Sequence, residues 1–185
     1  SSPLQMASVF GAIANSGQQC TPQSIESVTD RDENVLKEFA ADCKEVISPD
    51  LANKTAALLT ASAGQYYTST RLGDGRPFAA KSGTTDGHAN TWLTGFTPSL
   101  ATAVWVGHGD NSSQEVSGVV INGVYHSEIF GETYVGQNIW APYMTQALAG
   151  TPIEAVSNAN IGATTPQRGA TPTPAPSASP TSNDH

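Results

Sequence analysis

Between Phe78 and Gly107 three extended runs follow one another through tight connections, and this commits the chain to an antiparallel sheet. The first run, Phe78-Ala79-Ala80, leads directly into Lys81-Ser82-Gly83-Thr84-Thr85. After a turn-like Asp86-Gly87-His88-Ala89-Asn90 comes Thr91-Trp92-Leu93-Thr94-Gly95-Phe96-Thr97. Beyond Pro98-Ser99-Leu100 lies Ala101-Thr102-Ala103-Val104-Trp105-Val106-Gly107. Aromatic and β-branched residues dominate the last two runs, as a pleated, half-buried surface favours. Small side chains at Ala79 and Ala80 let another element pack closely, so the strand is buried at its start and presents Lys81, Ser82 and Thr84 at a rim. Gly83 marks a bulge or a place where a ligand or another backbone comes close. A cation, two hydroxyls and an open backbone N–H on one strand suit a carboxylate ligand and a developing oxyanion, which is the chemistry of acyl transfer.

The charge balance, 8 basic against 16 acidic residues and a net charge of −8, argues against a nucleic-acid backbone as partner. Half the acids lie between Glu26 and Asp50. Arg71, Arg76 and Lys81 place three cations in a short stretch, either as a locally basic cleft for an anionic substrate or, for the two arginines, as scattered solvated charge. The four histidines have no metal-ligand spacing to one another or to Cys20 and Cys43, so no metal or other cofactor is expected. His88 reads as a surface loop residue. No window is apolar enough to span a bilayer.

The flanks of the sheet read as helices. Ser2 as N-cap, Pro3 at the first helical position and Met6, Val9, Phe10 and Ile13 on one stripe predict a helix over residues 3 to 15, closed by Ser16-Gly17, with that stripe in the core. A strand pair is expected around Ser24–Val28 and Asn34–Leu36, with its turn at residues 30–34. Ser48-Pro49-Asp50 starts a second helix with Leu51, Thr55, Leu58, Leu59 and Ser62 on one face. Residues 65–77 form a polar loop in which Tyr66 and Tyr67 either line the cleft or pack on the domain surface, packing being the favoured reading. Asn122-Gly123 between apolar runs predicts a hairpin inside an insertion from His108 to Gly136. Trp140, Tyr143, Met144, Ala147 and Leu148 predict a C-terminal helix against the sheet, stopped at Gly150. From Ser157 the composition turns to Ala, Thr, Pro and Ser, which cannot build a core. The expected division is therefore a folded α+β unit over 1–156 and a disordered tail over 157–185.

Lys81-Ser82-Gly83-Thr84-Thr85, a loop and the run from Trp92 to Gly107 together resemble the Lys-Thr-Gly strand and following hairpin of class A penicillin-binding proteins, the bifunctional peptidoglycan synthases. Ser2-Pro3-Leu4-Gln5-Met6-Ala7 and Ala14-Asn15-Ser16-Gly17 resemble the helix and turn ahead of that strand, so the similarity spans residues 1 to 107. Where that family often carries a Gly-Thr-Gly stretch, this chain has Gly64-Gln65-Tyr66-Tyr67-Thr68. The resemblance implies the C-terminal portion of the serine β-lactamase and penicillin-binding transpeptidase fold, an antiparallel sheet flanked by helices.

The family's nucleophile lies in Ser-x-x-Lys and its helper in Ser-x-Asn. The positions three before Lys37, Lys44, Lys54 and Lys81 are Asn34, Ala41, Leu51 and Phe78, and Ser-x-Asn is missing too. The chain is therefore expected to be the C-terminal part of a longer protein. Its upstream segment would carry both motifs, a glycosyltransferase domain and any membrane anchor, at the extracytoplasmic face of a bacterial membrane. The implied reaction is D,D-transpeptidation of peptidoglycan stem peptides through a serine acyl-enzyme that β-lactams trap, with this chain alone inactive. Lys81 would supply charge and join the proton network, and Ser82 and Thr84, with Thr85 alongside, would bind the substrate carboxylate. Gly83 would keep the strand open, and the Thr84 N–H would donate to the oxyanion. Export would favour a Cys20–Cys43 disulfide over two buried thiols. The rival readings are a serine β-lactamase or carboxypeptidase, and a non-catalytic penicillin-binding sensor or wall-binding module.

Overall fold

The computed structural model describes residues 1–111 and 113–156, so the tail expected over 157–185 lies outside the described residues. In chain order the elements are α1 (Pro3–Ala14), β1 (Gln18–Cys20), β2 (Ser27–Thr29), β3 (Val35–Glu38), β4 (Cys43–Glu45), α2 (Pro49–Tyr66), β5 (Ala79–Thr84), β6 (Asn90–Thr97), β7 (Leu100–Gly107), β8 (Val119–Ile121) and β9 (Val124–His126). A π-helical segment (Gly131–Trp140) then runs into α3 (Ala141–Ala147). No described helix is long and apolar enough to cross a membrane.

The three runs between Phe78 and Gly107 form one antiparallel sheet in the order β5-β6-β7. Thr97 pairs with Leu100 across the Pro98-Ser99 turn, and this register sets Trp92 opposite Trp105, Lys81 opposite Thr94 and Gly83 opposite Trp92. Because neighbours in a strand point to opposite faces, Ala79 and Ala80 serve two different cores. Ala79 joins Phe96 and Ala56 under Phe10, Ile13 and Leu59 of α1 and α2. Ala80 joins Leu93, Trp140 and Met144 under the π-helical segment and α3. The result is a sheet sandwiched between two helical layers, as the α+β reading requires.

Both long helices begin as their sequences dictate. Ser2 and Gln5 close a reciprocal capping box on α1, and Ser48 accepts from the Leu51 N–H at the start of α2. Their buried faces differ from expectation. In α2 the buried residues are Ala52, Ala56 and Ala63, whereas Leu51 and Leu58 are more than half exposed. The small side chains bring α2 against the equally small Ala79, and the larger residues are turned outward. In α1, Phe10 and Ile13 face the core as the stripe predicts, but Val9 is 48% exposed and Ala12 is buried in its stead.

Between α1 and α2 the chain leaves the body as a narrow arm. β1 pairs with β4, placing Cys20 directly opposite Cys43, and the two are joined by a disulfide. Beyond it, β2 and β3 form a hairpin in which every strand residue is exposed. The Asp30 carboxylate organises its turn, accepting from the Asp32 and Asn34 N–H groups and from the Asn34 side chain, with Glu33 at φ 63°. The first strand starts three residues later than expected. The β1–β4 pair had no sequence signal beyond its two cysteines.

The insertion contains the hairpin foreseen at Asn122-Gly123, both residues at positive φ, but its final part is helical. Gly131 and Gly136 disguise that helix, since glycine is a poor interior residue. Packing explains both. A Cβ at Gly136 would lie 2.5 Å from the Thr70 hydroxyl, and one at Gly131 would fall on the Trp92 carbonyl oxygen and 2.9 Å from the Ser82 Cβ. Gly131→Ala is therefore expected to cost about 2–3 kcal/mol through overpacking, read as a lower urea midpoint at constant slope. An unchanged midpoint would mean that the segment yields freely. Farther along, Trp140, Met144 and Leu148 are buried as predicted, with Trp140 5.1 Å from Phe78 centroid to centroid, while Tyr143 is 53% exposed.

Candidate active site

β5 is an edge strand: β6 pairs with it on one side, and among the described residues no strand pairs on the other. In an antiparallel strand the backbone groups of successive residues point alternately to the partner and to the free edge. The Thr85 N–H donates to the Asn90 carbonyl at 3.0 Å, on the β6 side. The Ser82 N–H donates to the Tyr67 hydroxyl at 2.7 Å, on the open side. The same alternation sets the Thr84 N–H on the open edge beside it. The Ser82 carbonyl points that way too, and the exposed Lys81 reaches it with its Nζ at 3.0 Å, which holds the ammonium over the open edge.

A cleft of 410 Å³ opens there, lined by Lys81 and Ser82 from β5, by Ser62, Tyr66 and Tyr67 at the end of α2, and by Glu132 from the first turn of the π-helical segment. Tyr67 is buried to 2% exposure and donates its hydroxyl to Ser82 Oγ at 3.2 Å. Tyr66 is 66% exposed. The two tyrosines thus part company: one packs and also bonds the site strand, the other stands open at the mouth of the cleft. Gly83 faces outward, and a Cβ there would meet only the Trp92 Cβ, at an ordinary 3.7 Å. The chain's own packing does not demand glycine at 83.

Two sequence expectations change at this site. Arg76 is 5% exposed and belongs to the framework: its guanidinium donates to Asp74, to Thr151 Oγ1 and to the carbonyls of Leu148, Thr151 and Pro152. Arg71 lines a different cleft, with Thr60 and Leu72. The locally basic cleft thus reduces to Lys81, which lines the cavity together with Glu132. Thr85 spends its hydroxyl closing the 86–89 turn, where it accepts from the Asn90 N–H at 3.0 Å. It also lines a second cleft, with Trp92 and Trp105, instead of the Lys81 cleft. His88 packs edge-on against Phe130, with 5.2 Å between ring centroids.

Sequence reasoning missed Tyr67 as a partner of Ser82, and it missed Ser62 and Glu132. A Tyr-Tyr pair at the end of a predicted helix, 15 residues before Ser82, was the one available hint for Tyr67. Nothing marked Glu132, because the helix that carries it begins at a glycine.

The chain is similar in sequence and fold to several known proteins. A sequence profile described as the penicillin-binding protein transpeptidase domain matches residues 1–126. Penicillin-binding protein 1A of Mycolicibacterium smegmatis is 33% identical over 181 residues, covering 92% of this chain and 22% of the relative. The structure of the penicillin-binding protein PonA1 from Mycobacterium tuberculosis superimposes with a TM-score of 0.68 at 28% identity, covering 85% of this chain and 43% of that one. Penicillin-binding protein A from Mycobacterium tuberculosis, described as an imipenem acyl-enzyme complex, gives a TM-score of 0.52 at 25% identity over 58% of this chain and 26% of that one. The chain spans between 12% and 22% of the length of the curated relatives it matches.

Proposed function

The chain belongs to the transpeptidase family of the penicillin-binding proteins, and on that footing we propose that it is the Lys-Ser-Gly half of a peptidoglycan D,D-transpeptidase site whose serine nucleophile lies upstream, in a class A parent that also carries a glycosyltransferase. The observation that supports this reading is the open edge of β5, where Lys81 and Ser82 line a cleft and strand alternation turns the Thr84 N–H to the same free edge.

In the proposed reaction the upstream serine attacks the carbonyl of the penultimate D-alanine of a stem peptide. The terminal D-alanine leaves with a proton, the acyl group stays on the serine oxygen, and an amine of a neighbouring stem then takes the acyl group and returns the serine proton. Each residue of β5 has one part. Ser82 and Thr84 hold the terminal carboxylate with charge-assisted hydrogen bonds. Lys81 adds positive charge to that carboxylate and to the proton network around the serine. The Thr84 N–H, aimed off the free edge, donates to the tetrahedral oxyanion, and losing such a donor costs about 3 kcal/mol of barrier. A β-lactam enters the same site, its carboxylate in place of the peptide's, and its opened ring remains on the serine. The site works outside the cytoplasmic membrane, held there by an upstream anchor.

Labelling with a fluorescent penicillin tests this on three samples: the full-length protein, this chain alone, and this chain combined with a separately made upstream segment. Label on the full-length protein, and on the upstream piece of the combined sample, is expected. Full-length protein that takes no label would instead favour a non-catalytic wall-binding module.

A further inference from the structure

We propose that Tyr67 is a positioning residue that fixes the polarity of the site strand, making Ser82 a hydrogen-bond donor toward a ligand carboxylate; this rests on the transpeptidase reading above. The Tyr67 hydroxyl holds Ser82 by two atoms at once. It accepts the Ser82 N–H at 2.7 Å and donates its own proton to Ser82 Oγ at 3.2 Å. The direction of the second bond follows from the chemistry of the two hydroxyls, because a phenol is a better donor than an aliphatic alcohol.

This arrangement has two chemical effects. Once Ser82 Oγ accepts from Tyr67, the serine's own proton turns away from the tyrosine into the cleft, where it can meet only an acceptor. An anionic ligand then finds a donor already oriented, with no rotor to freeze and no hydroxyl lone pair in its path. In addition, the Ser82 N–H is taken, so of the outward N–H groups of Ser82 and Thr84 only that of Thr84 is left for a ligand. Without Tyr67 a carbonyl or oxyanion could bond one step too early on the strand, at Ser82. Tyr67 thus helps to set the register in which a substrate lies along the edge.

Its own rigidity makes this possible. Tyr67 caps α2, its N–H donating to the Ala63 carbonyl at 2.9 Å, and its side chain is 2% exposed within the core that holds Leu93 and Trp140. The hydroxyl is thereby fixed to the helix and the sheet together.

The test is a double-mutant cycle in the full-length protein with Tyr67→Phe, Ser82→Ala and both together, read as the second-order rate of acylation by benzylpenicillin. Tyr67→Phe keeps the ring in the core and is expected to slow acylation about tenfold, the scale of one net hydrogen bond. The double variant is expected to be acylated clearly faster than the product of the two single effects predicts, because the bond from the Tyr67 hydroxyl to Ser82 Oγ is already gone in Ser82→Ala. In this chain by itself, amide hydrogen exchange at Ser82 is expected to quicken in Tyr67→Phe while that of Leu93 stays slow. Additive effects, or an unchanged rate with Tyr67→Phe, would overturn the inference and leave the transpeptidase reading standing. Wild-type protein that is never acylated would overturn that reading, and an unprotected Ser82 amide in the wild-type chain would remove the tyrosine bond itself.

Discussion

Replacing Lys81 by alanine in the full-length protein is expected to slow acylation by a penicillin by about 10³-fold, within the range that a positioned proton-transfer group contributes, and to leave the melting temperature unchanged within error. Both halves follow from where the side chain sits. Lys81 is exposed, and its ammonium bonds the carbonyl of the next residue over the open edge of β5. Truncating such a side chain touches no buried group, and surface changes of that kind stay within about 0.5 kcal/mol. The ammonium is also the one cation lining the cleft, so no neighbour among the cleft residues can replace it. Stopped-flow acylation and a thermal melt of the same preparation check the two halves separately. An unchanged acylation rate would remove Lys81 from the mechanism. A large fall in melting temperature would mean that its role is structural.

Arg76→Met is expected to give the opposite pattern, loss of fold before loss of chemistry. The guanidinium is buried under the end of α3 and donates to the main-chain oxygens of Leu148, Thr151 and Pro152, to the Thr151 hydroxyl and to Asp74. Methionine matches the stem but leaves those carbonyls without a donor, at a cost of about 3 kcal/mol, or about 10 °C in melting temperature for a domain of this size. Lysine should recover part of the loss, since it keeps the charge without the planar fork. Urea unfolding of the three proteins decides the matter. A midpoint within error of wild type for Arg76→Met would show the guanidinium network to be dispensable.

The same pair gives a pH signature. Hydrogen bonding from the Arg76 side chain, and next from its backbone N–H, holds the Asp74 carboxyl below its ordinary value of 3.8. With the folded value depressed, the contribution of the pair is fully present above that ordinary value and is lost as pH falls through the folded one. Acid titrations of unfolding should therefore be flatter below pH 4 in Arg76→Met than in wild type. Identical slopes would assign the acid sensitivity to other carboxylates, Asp30 among them, whose bonds from the Asn34 side chain and backbone likewise lower it.

What could be read from the residues alone had a local cause. The alternation and tight turns of 78–107 dictate the three-stranded sheet, Ser2 and Ser48 announce their helices, and Asn122-Gly123 is a turn that almost specifies itself. Misreadings came where long-range packing chose between equals. Leu51 and Leu58 form as good an apolar stripe as the alanines of α2, and only the closeness of β5 makes the small face the inner one. Gly131 and Gly136 look like breaks until Trp92 and Thr70 are seen to occupy the space of their missing side chains. At the cleft, Lys81 and Ser82 were in view from the sequence because they are consecutive on one strand. Tyr67 and Glu132 were not, because their approach to Ser82 is set by the end of α2 and the start of the π-helical segment. Arg76 shows the converse: its charge was legible and its burial was not, since apart from Asp74 the groups that capture it lie more than 70 residues away.

The disulfide at the foot of the arm has a consequence for how motion spreads. Cys20 and Cys43 face each other where β1 and β4 meet, 23 residues apart in the chain, so everything beyond them is a covalently closed ring whose two ends cannot separate. Opening of the exposed β2–β3 hairpin inside that ring leaves the span between α1 and α2 unchanged, and local unfolding at the tip stops at the crosslink. Length can be added to or removed from the tip for little more than the slow cost of a longer loop. The arm is thus free to vary in sequence and reach while α2, and with it the tyrosine that grips Ser82, stays where it is.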